Sequence, residues 1–277
     1  MMLVNGTPAQ TIPADDRGLA YGDGVFRTLR CVNGNPLHWA RHYAKLAHDC
    51  ERLGIVCHSE ALLLAETRVA ANGFADGVVK ITVTRGSGKR GYAPPEHPVL
   101  TRIVTAGSFT PSRAAAGEGG GGGGIQVRLC ALRLAHQPAL AGIKHLNRLE
   151  NVLARGEWRD PGIREGLLLD CDGNAIGGTM SSLFIVENGA LLTPDLSRCG
   201  VAGVTRERVI DAAKTLRLTC RVEHIPLQRV LDADEFFFVN SLIGLWPVTR
   251  LNLRVWATGR LSEVLRAALQ AGDVALS

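Results

Sequence analysis

The sequence predicts an α+β fold in which the sheets are largely antiparallel. Strand-like and helix-like segments are mixed along the 277 residues, but they do not follow the regular β-α-β alternation of a doubly wound fold. Short turn signals also occur beside strand-like segments, at Asn5-Gly6, Asp172-Gly173 and Asn188-Gly189. Turns of this kind join antiparallel neighbours, so both observations favour hairpin-rich sheets with helices packed against them.

In the first half of the chain, apolar residues change from strand spacing to helical spacing and back. Between His38 and Leu53 they recur at helical intervals, which predicts an amphipathic helix. Ser59 is a suitable N-cap for a second helix, which we expect to end at Asn72-Gly73. Four segments are predicted as strands: Met1–Val4, Val25–Val32, Val78–Thr84 and Val99–Ala106.

The second half is richer in strands. Gly166–Asp170 and Leu183–Glu187 flank Asp172-Gly173, which predicts a hairpin between them. The other predicted strands are Ile125–Leu134 and Glu235–Val239. Helices are predicted over Asn147–Trp158, Thr205–Leu216 and Ser262–Gln270.

The run "AAAGEGGGGGG" from Ala114 to Gly124 separates the two halves. Six consecutive glycines do not hold regular structure, because each loses much backbone entropy on ordering. No strand enters the run and no helix leaves it, so a phosphate-binding loop is disfavoured. We therefore predict a small N-terminal domain over 1–113, a flexible linker over 114–124 and a larger C-terminal domain over 125–277.

Composition excludes several classes of function. Hydrophobic residues make up 46% and charged residues 21% of the chain, which is ordinary for a soluble globular protein. No apolar run reaches the roughly 18 residues that span a bilayer, and the N-terminus lacks a signal-peptide pattern, so we expect a cytoplasmic protein. The net charge of +5 comes from dispersed residues, which argues against nucleic-acid binding and allows a small acidic substrate.

The seven cysteines are scattered, with no CxxC pair and no Cys/His pair at zinc-finger spacing. An odd number in a chain of this size does not indicate a disulfide framework. We expect reduced thiols and no metal site.

The stretch "GSGKRG", Gly86 to Gly91, has the spacing of a dinucleotide-binding fingerprint. That fingerprint requires a helix to begin at the glycines, and the sequence Tyr92-Ala93-Pro94-Pro95 does not start one. The loop instead carries Arg85, Lys89 and Arg90, which suit either a carboxylate or a solvated basic hairpin.

Three further positions carry candidate chemistry. In "GVAGVTRERV", Val204 and Thr205 begin a helix whose free N–H groups can bind a phosphate, although a plain helix cap has the same pattern. Ser241 follows a buried strand, where polar side chains often face a site. Lys144 lies among apolar residues that would favour its neutral amine, the form that condenses with an aldehyde. The residues alone leave open whether Lys144 is such an amine or a surface charge.

Taken together and in order, the segments "YGDGVFRTLR", "TRGSGKRGY", "AGIKHLNRLENVL", "LSRCGVAGVTR" and "NSLIGLWPV" resemble the fold-type IV pyridoxal-phosphate (PLP) family. That family includes branched-chain and D-amino acid aminotransferases and 4-amino-4-deoxychorismate lyases. The segments "RGSGKRGY" and "GIKHLNRLE" look most like the lyase branch. The resemblance covers essentially the whole chain outside the glycine run and implies the family's two-domain α+β fold.

The resemblance also implies roles for individual residues. Lys144 matches the Schiff-base lysine, and Val204, Thr205 and Ser241 match the residues that hold the cofactor phosphate, so both are expected in the C-terminal domain over 125–277. Thr28 matches a threonine near the lysine that is typical of the lyases. Arg90 and Tyr92 match the loop that reaches substrate carboxylates, often from the neighbouring subunit of a homodimer.

Two positions depart from the family pattern. Where the family usually has a phosphate-contacting arginine on the first long helix, the chain has Lys45, which keeps the charge but loses the bidentate fork. Where the family has a glutamate beside the pyridine nitrogen, the chain has Gly177. A transaminase depends on that acid to stabilise a carbanion, whereas a lyase that forms an aromatic product depends on it less.

The resemblance therefore predicts a lyase that converts 4-amino-4-deoxychorismate, a dicarboxylate, to 4-aminobenzoate and pyruvate, with Lys144 as general base. The alternatives are a fold-type IV aminotransferase for branched-chain or D-amino acids, and a cofactor-binding relative with weak catalysis, suggested by Lys45 and Gly177. A nucleotide-binding protein that uses "GSGKRG" is the least favoured alternative.

Overall fold

The computed structural model describes residues 1–110 and 123–274. Most of the predicted linker, residues 114–122, lies outside the described residues. The chain folds into two compact units. The first holds Met1–Thr110 together with the short segment Ile143–Asn147, and the second holds 123–142 and 148–274.

The first unit contains six strands and three helices. The strands are β1 (Met2–Val4), β2 (Thr7–Pro8), β3 (Gly24–Val32), β4 (Asn35–Pro36), β5 (Asp76–Thr84) and β6 (Thr101–Ser108). The helices are α1 (Arg17–Tyr21), α2 (Trp39–Arg52) and α3 (Glu60–Ala71). All strand pairs are antiparallel, in the order β2-β1-β6-β5-β3-β4.

Local signals explain α2 and α3. The apolar spacing predicted α2 within one residue at each end, and its buried Leu46 packs on the sheet with Leu29. Ser59 caps α3 by accepting a hydrogen bond from the N–H of Leu62 at 3.4 Å. Burial of each leucine in this core contributes roughly 1.5–3 kcal/mol, so the core holds both helices against one face of the sheet.

The second unit contains nine strands and four helices. The strands are β7 (Ile125–Leu134), β8 (Ile163–Asp170), β9 (Ala175–Gly178), β10 (Ser182–Glu187), β11 (Ala190–Pro194), β12 (Cys220–Glu223), β13 (Glu235–Asn240), β14 (Gly244–Leu251) and β15 (Arg254–Val255). The helices are α4 (Leu149–Arg155), α5 (Val204–Thr215), α6 (Leu227–Asp232) and α7 (Arg260–Val274).

The sheet of the second unit closes on itself. Its strands follow the order β12-β11-β10-β13-β14-β7-β8-β9, and β9 also pairs with β10. Six strands therefore form a ring, from which β11 and β12 extend. The pairs β7–β8, β7–β14 and β11–β12 are parallel and the others antiparallel, so the α+β prediction with largely antiparallel sheets is confirmed.

Two element predictions in this unit need correction. The Asp172-Gly173 turn joins β8 to β9, a strand that the sequence did not suggest because two of its four residues are glycines. The predicted helix Asn147–Trp158 is shorter and spans Leu149–Arg155. Trp158 instead packs in a small core and donates its indole N–H to the carbonyl of Ile163 at 3.0 Å.

Within the described ranges, none of the helices combines the length and the apolar character needed to cross a membrane.

Candidate active site

The segment that carries Lys144 is attached to the first unit as an added strand. The N–H of Phe26 donates to the carbonyl of Lys144 at 3.0 Å, and the N–H of Leu146 donates to the carbonyl of Gly24 at 3.0 Å. Between these bonds, Val25 and His145 form an antiparallel bridge. Because Ile143 is also fully buried in the core of this unit, the backbone on both sides of Lys144 is fixed.

A buried carboxylate fixes the lysine backbone further. Asp49 on α2 is fully buried and accepts a hydrogen bond from the N–H of Lys144 at 2.8 Å. The same carboxylate forms an ion pair with Arg27 on β3, and Arg27 also donates to the carbonyl of Lys45 at 3.1 Å. Since a buried charge pair depends on hydrogen bonds of this kind, Arg27 and Asp49 position the lysine and α2 together.

The Lys144 side chain lies beside an aromatic ring. Its Nζ is 5.0 Å from the ring centroid of Phe26, and the Nζ of Lys80 is 4.9 Å from the same centroid. Thr28 is two residues beyond Phe26 on β3 and is paired with Lys80 on β5. Side chains two residues apart point to the same face of a strand, so Thr28 lies on the same face of β3 as Phe26. The Lys144 amine is near that face, because it lies beside the Phe26 ring.

The loop after β5 is held by two buried arginines. Arg17 donates to the carbonyl oxygens of Gly91, Tyr92 and Ala93 at 3.1, 2.9 and 3.3 Å, and it forms an ion pair with Asp23 at 2.8 Å. Arg85 contacts the same Asp23 oxygen at 2.8 Å.

Arg85 is held inside the protein and does not lie on the loop surface with the other two basic residues. Its guanidinium also donates to the carbonyls of Leu53 and Gly54, and the residue is buried. Of the three basic residues noted on the loop, Lys89 and Arg90 remain exposed. Tyr92 is 85% exposed, and its ring lies 5.3 Å from that of Tyr21.

In the second unit, α5 begins with a set of hydrogen-bond donors. Gly203 is the N-cap and offers no side-chain cap, so the first N–H groups of the helix, including those of Val204 and Thr205, have no partner within the helix. The Thr205 and Ser241 hydroxyl oxygens are 3.2 Å apart, and Thr205 is 3% exposed. Two hydroxyls beside free amides at a helix N-terminus are a set of donors that suits a phosphate.

The strand that carries Gly177 lies next to a fully buried carboxylate. Glu165 on β8 accepts hydrogen bonds from the N–H and hydroxyl of Thr179 and from the Ser181 hydroxyl, and the N–H groups of Gly166 and Met180 add two more. Both oxygens therefore have at least two donors. A Cβ at Gly178 would lie 2.7 Å from the Glu165 carboxyl carbon, so a larger residue there would have to displace the Glu165 and Ser181 side chains.

Comparison with known proteins decides the family. Residues 24–251 match the model of the amino-transferase class IV family, which is well over half of the chain. The chain belongs to the class IV aminotransferase family.

Among its relatives, an aminodeoxychorismate lyase from Vibrio harveyi is 35% identical over 91% of this chain and 92% of its own length. A crystal structure of 4-amino-4-deoxychorismate lyase from Pseudomonas aeruginosa is 41% identical and covers 98% of both chains with a TM-score of 0.92. A hypothetical aminotransferase from Mycobacterium tuberculosis in a PLP-bound form, 19% identical with a TM-score of 0.82 and 99% coverage of both chains, shares the fold. The resemblance seen in the sequence is thus confirmed at the level of family and fold.

Sequence reasoning found the residues with recognisable local patterns and missed those that support them. Arg17, Arg27, Asp49 and Glu165 are buried charges whose partners are distant in sequence. For Arg27, Asp49 and Glu165 the available signal was their position within or beside predicted elements, where a buried charged residue requires a partner.

Proposed function

We propose that this chain is a PLP-dependent lyase that converts 4-amino-4-deoxychorismate to 4-aminobenzoate and pyruvate. The observation that carries the proposal is its similarity to lyases along nearly the whole chain, at 35% identity over 91% of its residues and 41% over 98%. A second observation supports the proposal: the backbone on both sides of Lys144 is fixed by hydrogen bonds within the first unit.

The donors present fit the cofactor that the family uses. In this proposal the Lys144 amine would bind the aldehyde of PLP, and the N–H groups of Val204 and Thr205 with the hydroxyls of Thr205 and Ser241 would hold the phosphate. Lys45 adds a positive charge in place of the usual arginine. When bound, PLP withdraws electrons from the substrate carbon next to the nitrogen.

The remaining steps belong to side chains of this chain. The Lys144 amine, released when the substrate amino group takes its place, then removes the proton from the ring carbon that bears the substrate amino group, as a general base. The Thr28 hydroxyl, on the Phe26 face of β3, positions that amine or passes the proton to the departing enolpyruvyl carbon. Arg90 and Tyr92 bind the substrate carboxylates, since Arg suits them with bidentate geometry. Loss of pyruvate makes the ring aromatic, which drives the reaction.

Gly177 favours the lyase over the alternative aminotransferase, whether for branched-chain or D-amino acids. The position lacks the carboxylate that a transaminase uses, and the nearby Glu165 carboxylate is occupied by donors from residues 166 and 179–181. We therefore expect slow transamination beside fast lyase turnover.

We also propose a cytoplasmic homodimer. The short helix α4 exposes three apolar side chains at positions i, i+3 and i+4: Leu149, Val152 and Leu153 are 69%, 63% and 60% exposed. A stripe of this kind on a helix is typical of a protein interface. Small-angle scattering or sedimentation of the purified chain measures this assembly directly.

The test of the function is an assay of the purified chain with PLP and 4-amino-4-deoxychorismate, followed by detection of 4-aminobenzoate. A parallel assay measures conversion of PLP to pyridoxamine phosphate with branched-chain and D-amino acids. Formation of 4-aminobenzoate with little pyridoxamine phosphate is expected. Rapid transamination without 4-aminobenzoate would show that the aminotransferase alternative is correct.

A further inference from the structure

A cluster of metal-ligating side chains lies in the second unit, formed by residues that have no role in the proposed reaction. His136 Nε2 is 3.1 Å from Asp170 Oδ2 and 3.9 Å from Asp172 Oδ2. Its other ring nitrogen, Nδ1, is 3.4 Å from the sulfur of Cys171. One ligand atom each from His136, Asp170 and Cys199 all lie within 4.8 Å of one another, and so do those of His136, Cys171 and Asp172.

We propose that His136, Asp170 and Cys199 bind a zinc ion, with Cys171 and Asp172 beside them. An imidazole, a carboxylate and a thiolate are ligands that zinc accepts together. With bonds of about 2.0–2.3 Å, tetrahedral zinc places its ligand atoms roughly 3.3–3.8 Å apart. The three ligand atoms already lie within 4.8 Å of one another, so they must approach by at most about 1.5 Å to reach that spacing.

The charges in the cluster favour a cation. Asp170 is 2% exposed, and across residues 1–110 and 123–274 no Lys or Arg forms an ion pair with it. Asp172, which is half exposed, is already paired with Arg198 at 2.8 Å. Among the described residues the imidazole is the only potential positive partner of this buried carboxylate, and a zinc ion bound between them would add a second positive charge.

The ligands are held before any metal arrives. The N–H groups of Asp172 and Asn174 donate to Asp170 Oδ1 at 3.0 and 2.8 Å, which directs Oδ2 toward the His136 ring. The N–H of Gln137 donates to the carbonyl of Arg198 at 2.8 Å, which joins the chain beside His136 to the chain beside Cys199. Hydrogen bonds that orient ligands in this way are typical of metal sites.

The position of the cluster in the fold indicates which segments a bound ion would connect. Cys199 begins the turn that reaches α5 four residues later at Gly203. Zinc would therefore connect the end of β8 to the turn that leads into α5, and so stabilise the second unit.

Zinc binding is tested on the full chain after treatment with a chelator, by calorimetric titration with zinc chloride and by thermal unfolding with and without zinc. One zinc ion per chain and a higher melting temperature are expected. His136→Asn, which keeps a donor toward Asp170, and Cys199→Ala should each weaken binding at least about tenfold. Cys57→Ser changes a cysteine of the first unit and serves as the matched control, with unchanged binding.

A second measurement keeps the test decisive if Cys199→Ala does not fold. Cobalt(II) replaces zinc in the unmodified chain, and a cobalt–thiolate absorption band in the near ultraviolet is expected. Absence of that band, absence of stoichiometric zinc, or equal binding by His136→Asn would overturn the proposal. None of these readouts depends on PLP or on the proposed reaction.

Discussion

Replacement of Arg17 by alanine tests whether the loop that carries Arg90 and Tyr92 must be held in place. Arg17 is 4% exposed and makes hydrogen bonds to three consecutive carbonyls of that loop. Removal of one partner of a buried ion pair costs about 3–5 kcal/mol when the other is left alone. When Arg17 is removed, Asp23 still has its ion pair with Arg85 at 2.8 Å. We therefore expect the free energy of unfolding to fall by the lower end of this range, about 3 kcal/mol.

Part of this loss should appear in substrate binding. The loop residues 91–93 are exposed, so their carbonyls regain hydrogen bonds from water when the loop detaches. If about half of the lost free energy had held the loop in its binding position, KM would rise about tenfold, since 1.4 kcal/mol corresponds to a factor of ten. Because Lys144 does not depend on Arg17, kcat should change much less.

The assay combines steady-state kinetics of 4-aminobenzoate formation with limited proteolysis of the loop. Arg17→Lys keeps the positive charge but loses the planar guanidinium that donates to three carbonyls. Its KM and its rate of loop cleavage should lie between those of the wild type and of Arg17→Ala. Arg68→Ala, an exposed change on α3, is the control. Arg17→Ala with an unchanged KM and an unchanged rate of loop cleavage would refute the reasoning, and Arg17 would then contribute only to stability.

Four other predictions concern the remaining residues. Lys144→Ala should abolish lyase turnover and prevent borohydride from fixing a phosphopyridoxyl group on the protein, as checked by mass spectrometry. Ser241→Ala should weaken PLP binding about tenfold in equilibrium dialysis, the equivalent of one hydrogen bond to a charged group. Glu165→Gln should lower the free energy of unfolding in urea by about 1–3 kcal/mol with an unchanged slope, because its NH2 group would face donors. Burial alone raises the pKa of Asp23, but Arg85 and Arg17 outweigh it and hold that pKa below 3.8. Its stabilisation should thus be present above about pH 4 and lost as the pH falls through the lowered pKa, whereas Asp23→Asn should show a flatter acid dependence in denaturant titrations.

The sequence predicted elements whose signals are local. The strands β3, β5, β7 and β13 and the helices α2, α3 and α5 follow from apolar spacing and caps that lie within each segment. The proposed phosphate-binding residues Val204 and Thr205 were also recognisable, because a helix begins there directly after a glycine-rich turn.

Local sequence patterns did not predict the contacts between residues that are distant in the sequence. The sequence left open whether Arg85 serves a carboxylate ligand or a solvated hairpin, yet it binds Asp23 and the end of α2, which lie 62 and 32 residues away. The cysteine spacing indicated no metal site, whereas folding brings His136 and Cys199 into one cluster. In both cases the side chain is defined by partners that only the tertiary fold supplies.

The backbone around Gly177 links the sequence departure to the proposed chemistry. A Cβ at Gly177 would lie 2.9 Å from the carbonyl oxygen of Ser181, closer than side chains normally approach, so the turn has closed over the space that a larger residue needs. That turn is fixed by Glu165, which accepts hydrogen bonds from Thr179 and Ser181 and lies directly beside Gly178. The missing acid is therefore part of a locally consistent structure, and a glutamate at 177 would have to displace the turn. This arrangement suits a reaction driven by aromatisation of the product, which needs less help from the cofactor ring than transamination does.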